Sequence, residues 1–198
     1  MTKTAANDRS TVVALLARAR TFEVVASEHG VQLASFIEAL TAVLRRGGKL
    51  FLAGNGGSAA ECQHFAAELV VRYRLNRRAL PAIALTTDTS TLTACGNDFS
   101  VADVFSRQIE ALGAKADGLL LLSTSGQSPN LLRAAESAGQ LGVEVFGLLG
   151  KGGGPLAQLC QHVFVVPGDD TAVTQEVQLA VIHLACDAID AWAMECHG

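Results

Sequence analysis

The stretch GLLLLSTSGQS, residues 118–128, is a run of four leucines that stops in small hydroxyl side chains and a glycine. An apolar run without alternation marks a strand buried on both faces, as in a parallel sheet. KLFLAGNGGS (49–58) repeats the plan: apolar strand, small polar turn, Gly, Ser, then a helical pattern. PAIALTT (81–87), VEVFGLLG (143–150) and HVFVVPG (162–168) are further short apolar runs of the same kind. Helical stretches lie between them, around 58–74, 101–112, 128–140 and 155–160. This alternation predicts an α/β domain built on a parallel sheet. Two copies of one loop design predict two half-sites at the carboxyl edge of that sheet, where open α/β sheets bind ligands.

Outward from this core the grammar is helical. Residues 9–46 carry apolar side chains at mixed spacings of three and four, from Val12, Val13, Leu15 and Leu16 to Leu40, Val43 and Leu44. Gly30 divides the stretch into two helices and Gly47-Gly48 ends the second. About 173–194 has no Gly or Pro and reads as one long helix, with Asp169-Asp170-Thr171 at its cap. No linker is visible, so residues 1–46 are expected to be N-terminal helices of the same domain as 47–198.

Composition narrows the function. The 198 residues carry 15 Lys+Arg against 19 Asp+Glu, a net charge of −4, which lacks the basic footprint of a nucleic-acid binder. The opening MTKTAANDRS holds no apolar run of a secretory signal, and apolar runs such as Leu119–Leu122 are too short to span a bilayer. The mean hydropathy of +0.32 reflects either a high Ala and Leu content or apolar surface buried between subunits, as in a symmetric homo-oligomer. Cys62, Cys95, Cys160, Cys186 and Cys196 are odd in number and form no CxxC, as expected of reduced core thiols in a cytoplasm.

The chemistry-bearing residues fall in loops and on two helices. Ser123, Thr124, Ser125 and Ser128 offer hydroxyl donors where a strand passes into a helix, and Gly126 lets the main chain approach closely. This is a cradle for a phosphate monoester, though an N-capped turn has the same composition. Asn55-Gly56-Gly57-Ser58 is the matching loop; it is neither GxGxxG nor Walker A, which argues against a dinucleotide and ATP. His64 and Glu68 share a helix face, as a metal-chelating or acid–base pair or as a plain surface pair. Gln175 and His183 are eight apart, roughly 12 Å along an ideal helix. One ion takes both only by long reach, a loosened first turn, or ligands from two subunits. Asn97-Asp98 follow Gly96 at a predicted turn, suited to sugar hydroxyls or to an Asx turn. Arg72, Arg74, Arg77 and Arg78 read as solvated surface, though Arg72, four after Glu68, could face a phosphate.

In order, G-N-G-G-S (54–58), H-F-A-A-E (64–68), G-N-D-F (96–99), S-T-S-G-x-S (123–128), G-K-x-G-G (150–154) and Q-E with a His eight after the Gln (175–183) resemble bacterial phosphoheptose isomerases of the sugar isomerase (SIS) domain superfamily. The resemblance implies a flavodoxin-like three-layer αβα sandwich with a five-stranded parallel sheet, preceded by N-terminal helices. It implies a homotetramer with sites at subunit interfaces, and conversion of sedoheptulose 7-phosphate to D-glycero-D-manno-heptose 7-phosphate through an enediol. It places zinc on His64, Glu68, Gln175 and His183, and phosphate on Ser123, Thr124, Ser125 and Ser128. It places the sugar on Asn55, Gly56, Gly57, Ser58, Asn97, Asp98, Glu68 and Gln175, with Glu68 as base and His183 as acid. Val173, Thr174 and Gln178 depart from the usual family pattern. A relative that associates with a replication initiator and acts by binding protein is the competing reading. A sugar-phosphate-sensing regulator would carry a helix-turn-helix segment, which is not visible.

Overall fold

The computed structural model of the chain describes the backbone of residues 3–195 and the side chains of residues 10–195. Five strands, β1 (Leu50–Gly54), β2 (Ala82–Ala84), β3 (Gly118–Ser123), β4 (Glu144–Leu149) and β5 (His162–Val165), form one sheet in the order β2-β1-β3-β4-β5. Every pairing is parallel, with Gly54 beside Leu122 and Ser123 beside Leu149. The helices are α1 (Lys3–Glu28), α2 (Gly30–Arg45), α3 (Gly57–Val70), α4 (Thr89–Asp98), α5 (Ser106–Leu112), α6 (Pro129–Leu141) and α7 (Thr171–Glu195).

Burial on both faces explains the continuous apolar runs. Leu50, Leu52, Leu120, Leu122, Phe146 and Leu148 face a cluster built with α2, α3 and α7. Their neighbours Phe51, Ala53, Leu119, Leu121, Val145 and Leu149 face the opposite cluster, built with α5 and α6. The result is the expected three-layer αβα sandwich. Chain order reverses between β1 and β3, the topological switch point of a 2-1-3-4-5 sheet. The loops after these two strands therefore flank one crevice.

Several boundaries differ from the sequence reading. The stretch expected as one helix over 101–112 is a 3-10 turn (Val101–Asp103) followed by α5. The helix expected over 155–160 is a 3-10 turn, Pro155–Leu159. Helix α4 was not expected, because TSTLTACGND mixes β-branched residues with Gly; an Asp88 side chain accepting from Thr91 N–H starts it. Asn97 and Asp98 accordingly end a helix rather than sit in a turn. Helix α7 begins at Thr171, where Asp170 Oδ1 accepts from the N–H groups of Ala172 and Val173. By length and composition alone α7 is apolar enough to cross a membrane, yet over half of its most apolar window is buried in the protein, as in a core helix. Cys62, Cys95 and Cys186 are buried free thiols and Cys160 is half-buried; Cys196 lies outside the described residues.

Candidate active site

The two echoing loops meet as expected. Asn55, Ser58, Ser123, Thr124, Ser125, Ser128 and Gln175 line a small polar pocket of ≈ 70 Å³. Helices α3 and α6 both start beside it without a side-chain cap; Ser58, Ala59 and Ala60 N–H and Leu131 and Leu132 N–H bond back to carbonyls of their own turns, so what the two starts offer an anion is chiefly the positive end of each helix dipole. Ser123 Oγ accepts from the Gly126 N–H at 2.9 Å and Ser125 Oγ from the Gln127 N–H at 3.3 Å. Each of these two hydroxyl oxygens thus has one lone pair engaged by the loop backbone and keeps its O–H to donate, which suits a phosphate oxygen.

Glycine shapes this pocket at two positions. Gly126 has φ +63°, and a Cβ there would lie 1.9 Å from Gly153 O. The loop 150–154 packs on the serine loop: a Cβ on Gly150 would lie 2.8 Å from Thr124 O and one on Gly154 2.8 Å from Gly126 O, while Gly152 and Gly153 are held at positive φ. A Cβ on Gly57 would lie 2.5 Å from Gln175 Nε2, so Gln175 is seated against the first turn of α3.

Seven residues along α3, a second cluster forms. His64 Nε2 lies 3.2 Å from Glu68 Oε1 and 3.3 Å from His183 Nε2. Residues 57, 64 and 68 form one stripe on α3 facing α7: Gly57 meets Gln175 and His64 meets His183. One ring nitrogen, from His183, and one carboxylate oxygen, from Glu68, converge on His64 Nε2, an arrangement of lone pairs that needs a shared proton or a cation between them. Two donors on a tetrahedral ion with bonds of about 2.0–2.1 Å lie about 3.3 Å apart, so both pairs fit such an ion. Among the described residues no group of three or more His, Cys, Asp or Glu side chains is already arranged to hold a metal. Gln175 sits with the serine loop instead of with the histidines.

Sequence reasoning missed the residues that hold this second cluster. Tyr73 stacks on His183 with ring centroids 5.7 Å apart, and the Arg74 guanidinium lies 4.9 Å above the Tyr73 ring. Burial pushes the Tyr73 hydroxyl above its ordinary range. Arg77 is a correction to the solvated basic stretch: its side chain is 1% exposed and that of Asp190 is 4% exposed. Arg77 Nε donates to Asp190 Oδ1 at 2.7 Å, while its terminal nitrogens donate to the carbonyls of Glu68 and Leu69. The end of α3 that carries Glu68 is thereby pinned to α7. The signal was available, since Arg77 and Asp190 are the kind of opposite charges that pair when buried, but nothing in their spacing pairs them.

Asn97 and Asp98 stand apart. Asn97 Nδ2 donates to Asp98 Oδ1 at 2.7 Å, both residues are exposed, and Asp98 lines a separate cleft with Phe99 and Arg107. The described chain does not bring them to the serine loop.

This fold and pocket define a sugar-isomerase-type α/β domain with an anion site at its switch point. The SIS domain family matches residues 16–150. The chain is 54% identical over 159 residues to phosphoheptose isomerase 1 of Campylobacter jejuni, covering 80% of this chain and 86% of that protein. It is 47% identical to the phosphoheptose isomerase of Trichlorobacter lovleyi, covering 85% and 86%. Among solved structures, the phosphoheptose isomerase of Neisseria gonorrhoeae superposes with a TM-score of 0.86 at 36% identity, covering 93% of this chain and 98% of that one. The chain belongs to the phosphoheptose isomerase family of SIS-domain proteins.

Proposed function

We propose that the chain isomerises sedoheptulose 7-phosphate to D-glycero-D-manno-heptose 7-phosphate, a ketose–aldose conversion through an enediol. The observation that carries this reading is the His64–Glu68–His183 cluster lying one helical stripe away from a hydroxyl-lined anion pocket. The relatives named above support the same substrate, and no observation favours the initiator-binding alternative.

Ser123, Thr124, Ser125 and Ser128 hold the phosphate, with the positive dipole ends of α3 and α6 favouring its charge. Asn55, Gly56, Gly57, Ser58 and Gln175 hold the adjoining hydroxyls. The sugar then runs along the α3 stripe toward the histidines. Glu68 takes a proton from C1 while His183 gives one to O2, which yields the enediol; Glu68 then returns its proton to C2 as His183 takes the proton of O1, which restores both groups. Zinc, one ion per subunit, would be held by His64, Glu68 and His183, with Gln175 joining by long reach, a loosened first turn or from a second subunit; when bound it polarises the carbonyl.

Asn97 and Asp98 contact the sugar in this reading from a neighbouring protomer of a homotetramer. Support for assembly comes from α1, which leaves Val12, Val13, Leu15 and Leu16 more than half exposed. The free, buried thiols support a cytoplasmic location, where such groups stay reduced.

The test is a turnover assay with sedoheptulose 7-phosphate before and after chelation, with zinc add-back. Aldose formation that falls on chelation and returns with zinc is the expected result. No aldose from metal-replete protein overturns the activity; unchanged turnover after complete metal removal overturns the zinc assignment alone.

A further inference from the structure

The two loops of the anion pocket are joined by a pair of amides. Asn55 Nδ2 donates to Asn130 Oδ1 at 3.0 Å, and Asn130 Nδ2 donates back to Asn55 Oδ1 at 2.8 Å. Asn130 is the second residue of α6 and is 8% exposed, whereas Asn55 is exposed at the pocket. In such a reciprocal pair each amide spends one N–H and one carbonyl lone pair. Turning one amide alone sets oxygen against oxygen and N–H against N–H, so the two orient as a unit. The second N–H and second lone pair of Asn55 are therefore aimed before any ligand arrives, which is how a site avoids the ordering cost of binding.

Helix α6 does not need this contact to stay in place. Leu131, Ala134, Ala135 and Ala138 are fully or almost fully buried against the sheet, and Leu131 N–H bonds back to Ser128 O. The amide pair instead bridges the loop after β1 to the helix that follows β3, across the crevice between adjacent strands. Asn130 and Asn55 together line two shallow clefts, one with Gly54, Val101 and Phe105 and one with Ser128 and Pro129, but of the two only Asn55 lines the small serine pocket.

We propose that Asn130 is a positioning residue of the isomerase site: it sets the orientation of the Asn55 amide and fixes the spacing of the two loops that hold the sugar phosphate. The proposal rests on the reading that Asn55 contacts the substrate.

The experiment is a double-mutant cycle with Asn130→Leu, Asn55→Ala and the combined variant, read as kcat and KM for sedoheptulose 7-phosphate. Asn130→Leu is expected to lower kcat/KM about 10-fold, chiefly through KM, with a small shift in Tm. The combined variant is expected to be no worse than Asn55→Ala alone, because Asn130 acts only through Asn55. Losses that multiply, or an Asn130→Leu enzyme within twofold of the parent, overturn the proposal. Asn130→Asp keeps the side-chain shape but sets an oxygen against Asn55 Oδ1; it carries the same cycle if the Leu variant does not fold. Should the parent chain show no turnover, the isomerase reading fails, and the cycle is read instead as Kd for sedoheptulose 7-phosphate by calorimetry.

Discussion

The anion pocket and the histidine cluster are built by different means. The pocket is local: each half is a strand, a short polar loop and a helix start, contiguous in sequence, and the parallel sheet sets the halves side by side. The cluster is assembled: His64 and Glu68 come from α3 and His183 from α7, 119 residues beyond His64. Its geometry depends on the register between two helices, and that register is held by the buried Arg77–Asp190 pair rather than by the chemistry-bearing residues themselves. One region should survive perturbations that destroy the other.

The largest effect is expected at Arg77. Arg77→Met leaves the buried Asp190 carboxylate without its cation, holding only the Arg74 and Leu75 N–H groups, and strips donors from the carbonyls of Glu68 and Leu69. Breaking a buried pair this way costs about 3–5 kcal/mol. Denaturant melts of the variant should show a midpoint loss of that size, and a loss under 1 kcal/mol would mean that α3 and α7 hold their register without the pair.

Glu68→Gln separates the two regions chemically. Turnover should fall by ~100-fold or more if Glu68 is the proton carrier. Inhibition by inorganic phosphate, which reads the pocket alone, should stay within about twofold. A variant that keeps more than roughly a tenth of parental turnover contradicts the base role.

The same division explains what was legible in the sequence. The five strands, the two loops and the helix starts were readable because each rests on neighbours within a few residues. GLLLLSTSGQS announces strand, turn and helix in eleven residues. Helix α4 was missed because TSTLTACGND has weak intrinsic preference and takes its shape from an Asp88 cap. Asn130, Tyr73 and Arg77 were missed because their partners lie 75, 110 and 113 residues away, and no spacing rule joins such pairs. The meeting of His64 and His183 was anticipated through family resemblance, since from its apolar setting in AVIHLAC alone His183 reads more readily as a core histidine.

Gly57→Ala probes the seam between the regions. The new Cβ would lie 2.5 Å from Gln175 Nε2, the end of a flexible side chain, so Gln175 gives way rather than the backbone. KM should rise about 10-fold while stability changes by less than about 1 kcal/mol, the scale of a mild surface substitution. If KM is unchanged, Gln175 does not hold the substrate from its seat on α3.

The smallest effect concerns Glu61, on the flank of α3 between Gly57 and His64. Its Oε2 is buried with no hydrogen-bond partner, and burial raises the carboxyl from 4.5 to about 7. The folded chain therefore binds this proton more tightly than the unfolded chain. Its contribution to stability is intact below pH 4.5 and is lost as pH rises through 7. Glu61→Gln removes the ionisation, so the variant should gain on the parent across that window and be the more stable protein at pH 8. Because part of the carboxyl reaches solvent, the gain should be about 1 kcal/mol. Thermal melts at several pH values test this. Parallel curves for variant and parent would mean that the Glu61 carboxylate is stabilised, when ionised, by a partner such as a second subunit.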